Sequence, residues 1–183
     1  MLGASIACGG CFALARTDAR VHPGWSGQVA LQGNFVKIVG DGPDPGHGGV
    51  IPIPEVDVGY GWTRAALTLK APIAWINEEG PTAVLDAYAQ VPSLGPLAHG
   101  LGVELGTRPG AYYAATVPFG AAAFATLTNR LVVWAPFAQS QRFFWNPQLT
   151  VGYGRVFVLA AWFASSHGAN DDFFCAGVGV TID

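Results

Sequence analysis

Ser165, Ser166 and His167, followed by Asn170, place a nucleophile beside a base. A serine hydroxyl attacks when an imidazole within hydrogen-bond reach takes its proton. On an extended chain neighbouring side chains point to opposite faces, so Ser165 and His167 share a face and Ser166 does not. Only Asp171 or Asp172 stands close enough in sequence to orient the imidazole. A metal centre has no such nucleus: His22, His47 and His99 are scattered, and Cys8-Gly-Gly-Cys11 lacks the second ligand pair of a zinc or redox site. No metal and no cofactor are expected. The remaining chemistry lies in Glu55, Asp57, Asp86 and Glu104, in segments where they alternate with hydrophobes, with Lys70, in a less cleanly alternating segment, as the matching cation. Isolated burial of a carboxylate costs several kcal/mol, so inward groups of this kind need partners. They form either a charge network that braces an interior or a selectivity lining for a small polar solute or cation.

The elements that hold these residues follow from composition and period. The 183 residues are 51% apolar and 11% charged, include 25 glycines, and have a mean hydropathy of +0.35. An ordinary soluble domain is about 25% charged. Disorder is excluded because the chain is too hydrophobic, and nine basic against twelve acidic residues leave no cationic excess for nucleic acid. The apolar content exceeds what a core of this size needs. Yet no spanning helix is evident. The charge-free stretch 109–129 is broken by Pro118 and Gly120, and the run 156–164 is about half the length that roughly 20 apolar residues would require.

Period two is the dominant pattern. From Phe174 to Ile182 the even positions carry Phe, Ala and three β-branched hydrophobes, while the odd positions carry Cys175, Gly177, Gly179 and Thr181. The same alternation places Val29 and Leu31 opposite Gln28 and Gln32, Val56 and Val58 opposite Glu55 and Asp57, Leu85 opposite Asp86, and Val103 opposite Glu104. Soluble sheets put Lys, Glu, Thr and Arg on the second face. Here that face is mostly Gly, Ala, Thr and Gln, which suits the crowded inside of a narrow barrel. The fold class expected is all-β, an antiparallel up-and-down transmembrane barrel. Ten strands are expected, at 27–38, 53–62, 65–76, 82–91, 97–107, 111–118, 130–138, 146–154, 155–165 and 173–182; eight strands with an insertion near 111–128 is the alternative. Val58-Gly59-Tyr60-Gly61 and Val151-Gly152-Tyr153-Gly154 end strands two and eight and belong on one rim. On this scheme the terminal rim has short corners carrying Arg64, Arg130 and Arg155, and the opposite rim is acidic and long-looped.

The amino terminus is a short apolar, small-residue run ending at Cys8 or Cys11, followed by Arg16-Thr-Asp-Ala-Arg-Val-His-Pro-Gly24 and then the alternating strands. This order resembles outer-membrane β-barrel proteins of Gram-negative bacteria, some of them lipoproteins. The closing strand resembles their C-terminal recognition signal, with Cys175, Gly177, Val180 and Ile182 in its positions and Asp183 replacing the usual terminal aromatic. The resemblance implies three segments: a signal or lipobox remnant at 1–11, a periplasmic linker at 12–26, and the barrel at 27–183. It further implies lipidation at Cys11, with Cys8 as the alternative, location in the bacterial outer membrane, contact with its lipid, insertion by the barrel-insertion machinery, and membership of an envelope assembly as an open partner class. The function expected is a structural, assembly or narrow-pore role rather than catalysis. A barrel enzyme acting on envelope lipids through Ser165 and His167, and a secreted β-sandwich or ligand-binding barrel, are the alternatives.

Overall fold

The alternating segments pair with one another in chain order and then close. In the computed structural model, which describes residues 15–37, 48–73, 83–93, 95–106, 108–134, 142–166 and 173–182, ten antiparallel strands form a single closed barrel. They are β1 (Gly24–Lys37), β2 (Gly48–Gly61), β3 (Ala65–Pro72), β4 (Val84–Val91), β5 (Ala98–Gly106), β6 (Gly110–Phe119), β7 (Ala123–Trp134), β8 (Arg142–Tyr153), β9 (Val156–Ser165) and β10 (Phe173–Ile182). Each strand pairs with its sequence neighbours, and β1 meets β10 in a continuous register from Gly27↔Ile182 to Phe35↔Phe174. The fold is therefore all-β and up-and-down with ten strands, not eight, and it is not a two-sheet sandwich.

Both ends of the barrel segment lie on one rim. The connections there are short, at 62–64, 92–97, 120–122 and 154–155, while those of the far rim include 38–47 and 73–83. The two Gly-Tyr-Gly corners close β2 and β8 on the terminal rim, as their parity requires. The main difference from the sequence reading lies in β7. It begins at Ala123, not 130, because residues 120–122 form a tight turn in which Gly120 takes φ 74°. Its alternation is concealed by two apolar residues, Phe124 and Val132, on the same inward face as Thr126, Thr128 and Arg130. Arg130 consequently sits inside the wall and not at a corner.

Pro147 lies within β8, where it cannot donate to the ladder. Direct pairing of β8 with β9 skips Asn146 and Pro147. Asn146 repairs the gap: its side-chain Nδ2 donates to the Trp162 carbonyl at 2.9 Å.

The outside of the barrel is apolar throughout its height. Leu31, Val58, Leu69, Leu101, Val103, Leu127, Leu149, Val158 and Val178 all lie exposed on it. Aromatic rings gather at the two ends of this band. Trp25, Tyr60, Trp62, Phe119 and Tyr153 ring the terminal rim, with Trp25 and Tyr153 each 74% exposed, and Phe143, Trp145, Trp162 and Phe174 ring the far rim. Trp25, Tyr60 and Trp62 meet edge to face at centroid separations of 5.3 and 5.1 Å. Trp145 and Tyr153 are eight residues apart on β8, roughly 26 Å along an extended strand, which a tilt of about 40° reduces to about 20 Å of depth.

The inside is filled by pairing large with small. Phe124, Gly152, Phe157 and Gly179 stand in one row across β7–β10. Tyr88 and Tyr112 stack at 6.0 Å across Gly102 between them. A Cβ at Gly102 would come within 2.2 Å of the Tyr112 ring, so this position admits only glycine.

Candidate functional site

The inward positions of the middle strands carry the charges anticipated from the alternation, and the structure joins them. Glu55, Asp57, Lys70, Asp86 and Glu104 are all buried inside the wall. Lys70 Nζ, projecting from β3, lies 2.9 Å from Glu104 Oε1 and 3.4 Å from Asp86 Oδ2. Arg130 reaches Glu104 Oε2 from β7 at 3.1 Å and donates through Nε to Asn146 Oδ1 at 3.0 Å. Tyr112 donates its hydroxyl to Asp86 Oδ1 at 2.6 Å. The belt thus ties β3, β4, β5, β6, β7 and β8 together across the lumen. Charge-assisted bonds of this kind are about twice as strong as neutral ones, which suits groups removed from water.

Glu55 and Asp57 belong to a second cluster. Gln32 Nε2 donates to Glu55 Oε2 at 3.0 Å, and Gln28 Nε2 donates to Asp57 Oδ2 at 3.2 Å. Both amides come from β1, the strand paired with β2.

A feature absent from the sequence reading fills the space between these clusters and the terminal rim. Residues 15–22, which fall in the segment read as a linker over 12–26, run inside the barrel as an internal strap. Ala15, Thr17 and Ala19 are buried. The strap's backbone bonds to side chains of the wall, because the backbone of the wall is committed to its own ladders. The Gln148 amide accepts from Ala15 N and donates to Ala15 O, both at 3.2 Å, as a peptide group on a neighbouring strand would. Thr116 Oγ1 accepts from Ala19 N at 2.7 Å, and Tyr88 donates to Ala19 O at 3.0 Å. Thr128 donates to Arg16 O at 2.8 Å, and Gln90 Oε1 accepts from Val21 N at 2.9 Å. Arg16 also lies over the Tyr88 ring at 4.0 Å and approaches Asp86 at 3.9 Å, joining the strap to the charge belt. Gly61 is required where the strap leaves: a Cβ there would fall 2.1 Å from the His22 carbonyl oxygen.

Near the exit the strap folds on itself. Arg20 donates from Nε and Nη2 to Asp18 Oδ2 at 2.9 and 2.6 Å, its backbone N–H donates to Oδ1 at 2.8 Å, and His22 Nε2 stands 3.7 Å from Oδ2. Burial alone would raise the Asp18 carboxyl, but His22 and Arg20 outweigh it and hold it down to about 2 against the usual 3.8. The Asp18 carboxylate in turn raises the Arg20 guanidinium above its ordinary value, prevailing over the burial that works against its charge. Because the folded value of Asp18 is the lower one, its stabilisation is complete above the ordinary pKa and is lost as pH falls through about 2, with a size on the order of 2 kcal/mol. Limited proteolysis of the strap across this range is expected to show protection falling between roughly pH 4 and 2. Asp18→Asn is expected to remove that step, and an unchanged step in the variant would contradict the assignment.

The other residues singled out from the sequence are not gathered into this site. Ser165 is half-buried at the far end of β9, paired with Phe144, and Ser166 Oγ accepts from Phe143 N at 3.2 Å. His167, Asn170, Asp171 and Asp172 lie outside the described residues, as do Cys8, Cys11 and His47. His22 lines the strap exit and His99 stacks obliquely against Tyr113 at 5.9 Å. Cys175 is a buried free thiol on the inward face of β10. Among the described residues no group of three or more His, Cys, Asp or Glu side chains could hold a metal ion.

The lumen can brace, exclude and bind. No protein-family model matches the chain, and no curated protein or solved structure matches it either.

Proposed function

We propose that this chain is an outer-membrane β-barrel of a Gram-negative bacterium that serves the envelope as a closed structural or assembly element, not as a conduit. The observation that carries the second half is the strap: the chain's own residues 15–22 occupy the lumen and are bonded to side chains from β1, β4, β6, β7 and β8. An unblocked barrel of this strand number leaves at most a slender aqueous path. With the strap and the Lys70–Glu104–Arg130 belt in place, that path is interrupted.

The membrane half of the proposal rests on the outer wall. A band of exposed aliphatic side chains between two aromatic girdles is the arrangement of barrels whose wall meets hydrocarbon. In water the same wall would be an apolar patch far above the few hundred Å² that soluble monomers expose. Anchoring through Cys11 or Cys8, recognition of the closing strand by the barrel-insertion machinery, and a place in an envelope assembly belong to the same reading.

Two measurements test it. Spin labels at Val178 and Leu85, both exposed on the wall, are expected to report hydrocarbon in reconstituted vesicles. In planar bilayers the full chain is expected to add no current steps above leak. An aqueous signal from both labels overturns the location, and regular unitary conductance overturns the closed lumen.

A further inference from the structure

The strap is held in a way that another extended segment could copy. Six hydrogen bonds join wall side chains to its main chain: two between Gln148 and Ala15, and one each from Thr128, Thr116, Tyr88 and Gln90. Bonds to a backbone carry no sequence information, so selection falls to size. Ala15, Thr17 and Ala19 are buried at every second position, alternating with the half-buried Arg16, Asp18 and Arg20. Ala19 is 0% exposed, packed with Tyr88, Tyr112 and Ala114. Strand addition divides its labour in the same way: the main chain gives affinity, and pockets for alternate side chains give specificity.

Charge does not fasten the strap to this seat. Asp18, Arg20 and His22 pair with one another, so they leave together and strand no partner in the wall. Arg16 carries a guanidinium inward, but its Nη1 stops 3.9 Å from Asp86 Oδ2, beyond hydrogen-bond length, and its Nε has no hydrogen-bond partner among the described residues. The Tyr88 ring at 4.0 Å offsets only part of the desolvation this costs. Asp86, for its part, keeps Lys70 at 3.4 Å whether or not Arg16 is there. Nor is the strap wedged in place: a cavity of about 210 Å³ lies between it and the wall of β1–β3. Beyond the belt the lumen is filled by Val132, Phe144, Phe163 and Phe173, the last two stacked at 4.3 Å. An empty seat is therefore a cup and not a channel.

We infer that the terminal half of the lumen is a peptide-binding cup, with the strap as its resident and exchangeable occupant. Its ligand is an extended segment of a partner protein with small residues at alternate positions, which enters from the terminal rim and bonds through its main chain. Competition sets the balance. A tethered strap meets its seat at an effective concentration on the order of 1 mM. With an intrinsic Kd on the order of 10 μM, the strap is seated about 99% of the time, and a segment in trans binds about 100-fold more weakly than it binds an empty cup. The site requires only the barrel and its strap, so it stands independently of what surrounds the outer wall.

The test uses an end-capped peptide with the sequence of residues 15–22 and the folded full chain in maltoside micelles. Ala19→Trp in the chain puts an indole where Tyr88, Tyr112 and Ala114 leave no room, so the strap vacates its seat while no wall residue changes. Fluorescence anisotropy of the labelled peptide is expected to give this variant a Kd on the order of 10 μM. Ala15→Trp empties the other end of the seat and serves should the first variant fail to fold. N-methylation of the peptide at Ala19 removes the donor that Thr116 accepts and is expected to weaken binding about tenfold. For the unaltered chain, saturation-transfer NMR with peptide raised to about 10 mM is expected to show binding that saturates near 1 mM, about 100-fold weaker. Absence of saturable binding to a folded variant, or equal binding of the methylated peptide, would overturn the cup. Absence of any signal from the unaltered chain, or binding there as tight as in the variant, would overturn the exchange.

Discussion

Glutamine in place of Glu104 is expected to cost about 3–5 kcal/mol of folding free energy, the penalty for breaking a buried ion pair from one side. Glutamine keeps the shape of glutamate and removes only its charge. Lys70 and Arg130, each 2% exposed, would then share an interior in which no carboxylate of residue 104 lies between them. Asp86 would serve Lys70 at 3.4 Å and Arg16 at 3.9 Å, while Arg130 would keep its bond to the neutral Asn146. Urea unfolding of the vesicle-embedded barrel, followed by tryptophan fluorescence, measures the loss. A change below about 1 kcal/mol would mean that water reaches the belt and screens it. Replacing Glu104 and Arg130 together by methionine, with Lys70 left to Asp86, removes both desolvation penalties and is expected to cost less than the single change.

The outer wall gives an effect of similar size with a different signature. Leu149 lies midway up the wall, four residues from both Trp145 and Tyr153 on β8 and across from Leu127 on β7. Arginine at this position is expected to cost about 2–4 kcal/mol in a bilayer, because the guanidinium would sit near the hydrocarbon midplane. Arginine at Tyr153, in the terminal girdle, is expected to cost about 0–1 kcal/mol. The dependence on depth matters more than either value. If water wets the wall, both substitutions fall within about 0.5 kcal/mol of zero and depth has no effect.

These two expectations draw on parts of the molecule that are unequally legible in the sequence. The wall and the inward carboxylates are readable because alternation is local: wherever Glu55, Asp57, Asp86 or Glu104 stands between hydrophobes, the strand period alone fixes the face. Arg130 is hidden by the same rule. Phe124 and Val132 are apolar and yet point inward, filling space opposite Gly152 and beside the belt, so the inward face of 123–134 mixes apolar with polar residues and its alternation is masked. Tyr112 and Asn146 escape notice because their roles depend on strands that are distant in sequence. The strap is least visible. Arg16, Asp18 and Arg20 make 15–22 look solvated, and the polar groups that house it are single Thr, Gln and Tyr residues dispersed over five strands. A row such as Thr116, Thr126 and Thr150 gives no sign in the chain of what it receives. Seen from the wall, the signal is an excess of buried neutral hydrogen-bonding side chains beyond what the charge belt consumes.

The strap also sets an order of assembly. It joins β1 directly, so it belongs to the earliest synthesised part of the barrel domain. Yet its seat is built late: Ala19 waits for Thr116, 97 residues on, and Ala15 for Gln148, 133 residues on. Contacts so remote in sequence form slowly, because loop-closure entropy is lost before they repay it. Residues made ahead of every strand are therefore among the last to settle, and they settle inside a ring whose seam joins β1 to β10. Docking of the strap therefore follows the formation of β6 and β8, whose side chains complete its seat.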